Sequence, residues 1–253
     1  MKSLALLFCT TLLCAHVTQA GILAASTRVI YPQNTKQQTL ILANSNDYPI
    51  VAQTWVDDGT GNPELAKAPF VVLPAVFKIN PKGIQTIRMV HNGDAMPQDR
   101  ESVFWLNLYE VAGKTTAQNQ ALANSQARLD LAMNTQLKIF YRPANLAKMN
   151  IEQIAAQLRF SLQQSAGQWF LVCHNPTPYH ISFTGLKVIQ GQQSRIVAKQ
   201  MDMMTPAQAN RIYPLEQAPQ STEFDRIEFT LLDDQGTMHN GLFDPKMNHT
   251  QLK

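Results

Sequence analysis

Arg28 and Lys138 are the two side chains of this sequence whose surroundings ask for chemistry. Each cation lies in an otherwise strand-like, apolar stretch, T-R-V-I-Y-P for Arg28 and L-K-I-F-Y-R-P for Lys138. A charge held in such surroundings seeks an anion. The guanidinium offers a rigid planar fork and the ammonium a movable point charge. The competing reading is two solvated strand charges, which is the commoner fate of such residues. No other grouping has the form of a reaction centre. His91, His174, His180, His239 and His249 lack zinc-ligand spacing. There is no G-x-S-x-G elbow, phosphate-binding loop or dinucleotide fingerprint, and Cys173 reads as a small core residue rather than a nucleophile. No catalytic residue, metal or cofactor is therefore expected.

The element that must carry Lys138 spans residues 128–143. Leu129, Leu131 and Met133 alternate with Asp130, Ala132 and Asn134, as the two-residue period of a strand requires, and the alternation runs on through Leu137, Ile139 and Tyr141 to Pro143. Such a strand is longer than the usual five or six residues. Its apolar face either enters its own core or lies on an edge that a partner must cover. Lys138 has the opposite parity to Leu129; a bulge, strand twist or the domain junction would each reconcile the two.

Lys2, the apolar run 4–13 and Thr18-Gln19-Ala20 before Gly21 read as a secretory signal over residues 1–20. That apolar run is too short to span a bilayer. Cys9 and Cys14 lie within it, but neither follows the small residue that lipid attachment needs. Removing twenty residues from 253 leaves 233, enough for one large or two ordinary domains. Cys173 is then the lone thiol, so no intrachain disulfide is expected although an exported protein permits one. With charged residues at 15% and a formal charge of only +3, no basic tract marks a nucleic-acid partner, and no later run is long enough for membrane insertion.

Short alternating runs at 27–31, 39–43, 50–56, 70–73, 76–79, 85–90 and 103–111, separated by turn residues, predict an antiparallel sandwich over residues 21–143, with Trp55 as a core candidate. The stretch 113–127, G-K-T-T-A-Q-N-Q-A-L-A-N-S-Q-A, is small and polar and reads as a mobile hairpin loop. Pro143 ends the long strand, which sets a second domain at 144–253. Asn150 is positioned to cap a helix reaching Leu158. Runs at 159–162, 169–174, 181–188, 195–199 and 226–232 predict a second β-sandwich.

Four sequence words, in order, resemble the periplasmic pilus-assembly chaperones of the chaperone-usher pathway: T-R-V-I-Y-P from Thr27, P-Q-D-R-E-S from Pro97, L-K-I-F-Y-R-P from Leu137 and N-P-T-P-Y from Asn175. They cover nearly the whole chain after the signal. The resemblance implies an all-β fold of two immunoglobulin-like β-sandwich domains arranged around a cleft, and the short-loop class. By that resemblance Arg28 and Lys138 bind the C-terminal carboxylate of a pilus subunit. Leu129, Leu131 and Met133 form a donor strand that completes the subunit's open sheet, the β-strand addition by which pilus chaperones are known. Arg88, Glu101 and Asp234 match an interdomain charged network. Ala75 departs from the family pattern, which commonly has a second proline after Pro74. The implied partners are pilus subunits and an outer-membrane usher, with self-association when no subunit is bound. The alternative function is a secreted immunoglobulin-like adhesin or pilus subunit.

Overall fold

The computed structural model describes residues 21–113 and 131–252. The expected signal at 1–20, Leu129 and most of the expected loop lie outside the described residues.

Among the described residues the regular structure is strand apart from one short helix, and no sheet mixes strands from the two halves. In the first half, a four-stranded antiparallel sheet has the order β1 (Ile22–Ala24), β3 (Gln38–Asn44), β7 (Ile84–His91), β5 (Phe70–Leu73). A five-stranded sheet has the order β2 (Arg28–Pro32), β9 (Ala132–Arg142), β8 (Ser102–Ala112), β4 (Ile50–Asp57), β6 (Val76–Ile79), with β2 parallel to β9. Alternation closes the sandwich. Leu40 and Leu42, Ile50 and Val56, Ile87 and Met89, and Leu106 and Leu108 turn into one core, while alternate residues such as Ile41, Val51 and Arg88 turn outward. Trp55 is only half-buried and stands outside that core. The Leu73–Pro74 bond is cis.

The second half packs a sheet of β10 (Arg159–Ser165), β11 (Gln168–Asn175) and β15 (Ala209–Pro214) against a larger one. The larger sheet runs β13 (Gln193–Ile196), β12 (Ile181–Gln190), β16 (Arg226–Leu232), β17 (Met238–Asp244), β18 (His249–Leu252), with β14 (Met204–Thr205) also on β12. The core is aromatic: Phe160 stacks on Phe229 at 5.7 Å, and Phe183 meets Phe229 edge-on at 5.9 Å. Cys173 is fully buried there, and burial pushes its thiol up to about 12.

Helix α1 is shorter than the sequence suggests, covering Ile151–Ala155 rather than reaching Leu158. Asn150 caps it reciprocally with Gln153. The run 195–199 also shortens: β13 stops at Ile196, and Val197 makes a single bridge to Leu215. Strand β17, M-H-N-G-L-F-D, gave no alternation signal because Gly241 stands where an apolar residue would be sought. The ring of Phe229 fills that place, and a Cβ on Gly241 would lie 2.4 Å from it.

Candidate functional site

Strand β9 has one face in the core of the first sandwich and the other turned to the second domain. Its ladder with β8 runs from Ala132 to Tyr141 without a register shift, so strict alternation holds and no bulge rotates Lys138. Leu137, Ile139 and Tyr141 enter the core of the first sandwich. Lys138, Phe140 and Arg142 therefore share the opposite face. Strand β2 repeats the division, with Val29 and Tyr31 in the core and Arg28 on the other face. Because β2 and β9 are parallel and in register, Arg28 lies directly beside Lys138.

This outer face meets the second domain. Arg28 is 9% exposed, its Nε has no hydrogen-bond partner among the described residues, and its guanidinium lies 5.9 Å from the Phe140 ring centre. Burial lowers its pKa, while the nearby negative charges of Asp234 and Asp233 push it back up. Gly236, at φ +82°, allows the second domain to approach this corner, since a Cβ there would lie 2.9 Å from Thr27 Oγ1. Lys138 donates from Nζ to Asp202 Oδ1 at 2.5 Å, an ion pair from one domain to the other.

Of the three residues expected in a charged network, Glu101 and Asp234 are brought together by Arg142, and Arg88 lies elsewhere. Arg142 Nη2 lies 2.7 Å from Glu101 Oε1, and its Nη1 lies 2.7 Å from Asp234 Oδ2. Burial alone would lower the Arg142 pKa, but hydrogen bonds and charge from Asp234 and Glu101 outweigh it and raise it. Glu101 is buried, and its other oxygen accepts the backbone N–H of His180 at 2.8 Å. Arg88 is instead exposed on β7 and makes no ion pair among the described residues. Its neighbours Ile87 and Met89 are fully buried, so alternation turns Arg88 outward on the sheet that does not carry this junction. The signal for Arg142 was present in L-K-I-F-Y-R-P, where it shares parity with Lys138.

The N-P-T-P-Y word forms a turn closed by its buried Asn175, Thr177 and Tyr179, and it docks here. Asn175 Nδ2 donates to the carbonyls of Tyr179 and Pro206, and Thr177 Oγ1 donates to Asn175 Oδ1. The Pro178 carbonyl then accepts the Glu101 N–H at 2.9 Å, and the Arg142 guanidinium lies 5.0 Å from the Tyr179 ring centre.

The upstream part of β9 has a different character. Strand β2 pairs only with Lys138–Arg142, so residues 132–137 have β8 on one side and no strand on the other among the described residues. Of the expected donor residues, Leu131 is 68% exposed just before the strand, Met133 is 45% exposed within it, and Leu129 lies outside the described residues. The reverse face is pinned. Fully buried Asn107 accepts from Asn134 Nδ2 at 3.1 Å and Gln136 Nε2 at 2.9 Å, and donates to buried Asp57 at 2.9 Å. This clamp was not visible in the sequence, because its members come from three strands.

Two family descriptions match the chain in order. Residues 21–147 match the pili and flagellar-assembly chaperone PapD N-terminal domain, and residues 153–242 match the pili assembly chaperone PapD C-terminal domain. The chain belongs to the pilus-assembly chaperone family. Chaperone protein HifB of Haemophilus influenzae is 32% identical over 244 residues, covering 93% of this chain and 94% of its own. The probable fimbrial chaperone YadV of Escherichia coli is 37% identical over 183 residues, 71% of this chain and 73% of its own. Its crystal structure superposes with a TM-score of 0.72 at 27% identity, covering 88% of this chain and 98% of that one. The Salmonella enterica SafA pilin in complex with the SafB chaperone matches at TM-score 0.70 and 24% identity, over 90% of this chain and 98% of that one, a likeness of fold. These matches place the chaperone among proteins of fimbrium biogenesis and favour that reading over a secreted adhesin or pilus subunit.

Proposed function

We propose that this chaperone captures pilus subunits in the periplasm by lending them a strand, and passes them to an outer-membrane usher. The observation that carries the reading is the edge of β9 at residues 132–137, unpaired among the described residues, which runs directly into the cation pair Arg28 and Lys138. A subunit strand laid along that edge would complete its main-chain hydrogen bonds, while Leu131 and Met133 would fill apolar pockets of the subunit. Burying each of these side chains contributes roughly 1.5 to 3 kcal/mol before ordering costs. The subunit's terminal carboxylate would end at the two cations, which fixes register. Leu129 belongs to the same alternation in the sequence. The SafA–SafB complex supports a pilin as the partner class. Export through a cleaved signal at residues 1–20 fits that partner.

Co-production with a candidate fimbrial subunit tests the mechanism. Wild-type protein is expected to yield a soluble complex. Arg28→Ala, Lys138→Ala and a paired Leu131→Ser and Met133→Ser variant are each expected to lose it while unfolding at the wild-type temperature. Equal recovery by all the folded variants removes both the carboxylate anchor and the donor strand.

A further inference from the structure

Lys138 already holds a carboxylate, and that carboxylate has a second owner. Asp202 Oδ1 accepts from Lys138, while its Oδ2 accepts from Arg211 Nη1 at 2.9 Å. Arg211 also donates to the Asp202 carbonyl at 2.6 Å and to the Met204 carbonyl at 2.7 Å. Arg211 therefore fixes the segment carrying Asp202 by contacts that do not involve Lys138. Arg28, beside Lys138 in register, has no carboxylate within ion-pair distance among the described residues.

We propose that Asp202 is an affinity-setting residue of the anchor, an internal carboxylate that stands on Lys138 until a subunit carboxylate replaces it. The proposal rests on the carboxylate-anchor reading above. Exchange is physically cheap because Asp202 keeps Arg211 when it gives up Lys138, so no displaced charge is left without a partner. Asp202 is also tethered, which makes it an efficient competitor at Lys138. An incoming carboxylate held by Arg28 and by an extended strand can displace it; a small anion without the strand cannot. Discrimination thus comes from a built-in rival as well as from attraction. The side chains of Lys138 and Asp202 are 20% and 31% exposed, so solvent screening keeps the competition moderate.

The test uses the full-length processed protein and two probes: an extended peptide of alternating apolar and polar residues ending in a free carboxylate, and the same peptide ending in a carboxamide. Calorimetric titration of the wild type is expected to favour the carboxylate peptide. Asp202→Asn, which keeps side-chain size and the backbone contacts of Arg211, is expected to bind the carboxylate peptide about ten-fold tighter and the carboxamide peptide unchanged. Asp202→Ala is expected to move the same way, and thermal unfolding checks both variants. If the wild type discriminates but both variants bind the carboxylate peptide equally or more weakly, Asp202 positions Lys138 or does nothing, and the proposal falls alone. If the wild type binds neither peptide or does not discriminate, the anchor falls and this proposal with it.

Discussion

Arg28 and Lys138 are in-register neighbours on parallel strands, yet they are partnered differently: Lys138 is ion-paired with Asp202 at 2.5 Å, whereas Arg28 is buried with its Nε unpartnered among the described residues. Under the proposed carboxylate anchor, an arginine so placed is a waiting donor. Arg28→Lys keeps the charge but loses the fork, and is expected to reduce subunit capture in the co-production assay about as much as Arg28→Gln does, with little change in thermal stability for either variant. Full capture by a folded Arg28→Lys protein would show that the fork is not used.

Arg142 holds the two domains through Glu101 and Asp234. Arg142→Ala strands the buried Glu101 carboxylate with only its His180 contacts, and is expected to cost about 3 kcal/mol in denaturant unfolding. Arg88→Ala removes an exposed side chain and is expected to stay within about 0.5 kcal/mol of wild type. Equal losses would return Arg88 to the network.

Asn107 holds the polar face of the open-edged strand. Asn107→Ala leaves Asp57, Asn134 and Gln136 each short of a partner, with an expected cost of about 1 to 3 kcal/mol. Amide exchange should accelerate in residues 132–137 more than in 138–142, which β2 also holds. Uniform acceleration through the sandwich would mean that the clamp has no local role.

Asp233 gives a pH signature. Burial pushes its carboxyl up, but hydrogen bonds from His239 and from the backbone N–H groups of Thr237 and Gln235 outweigh burial and hold it below the usual range. Its folded pKa lies below its unfolded one. Its stabilisation is therefore present above the ordinary carboxylate pKa of about 3.9 and is lost as pH falls through the lower folded value. Asp233→Asn is expected to lose stability relative to wild type at neutral pH and to converge with it in acid. A constant difference across pH would contradict this.

Cys173, fully buried with its thiol pushed up to about 12, is expected to resist thiol reagents at neutral pH until the second sandwich unfolds. Labelling of the native protein as fast as of the unfolded chain would overturn that expectation.

The sequence by itself determined the parity of its strands. Alternation through L-K-I-F-Y-R-P already separates Leu137, Ile139 and Tyr141 from Lys138, Phe140 and Arg142, because a pleated strand sends neighbours to opposite faces whatever surrounds it. The four ordered words likewise carried the family. Parity does not say which sheet a strand joins or what stands opposite its outer face. Arg88 and Arg142 are both outward-facing arginines on first-domain strands, but β7 lies in the sheet away from the junction and β9 in the sheet that meets the second domain. Tertiary packing thus chose Arg142 for Glu101 and Asp234, brought Asp202 to Lys138 from 64 residues away, and closed Asn107 on Asn134 and Gln136. Among the described residues it also left 132–137 without a strand on one side, because β2 begins at Arg28, beside Lys138, and reaches no further upstream along β9.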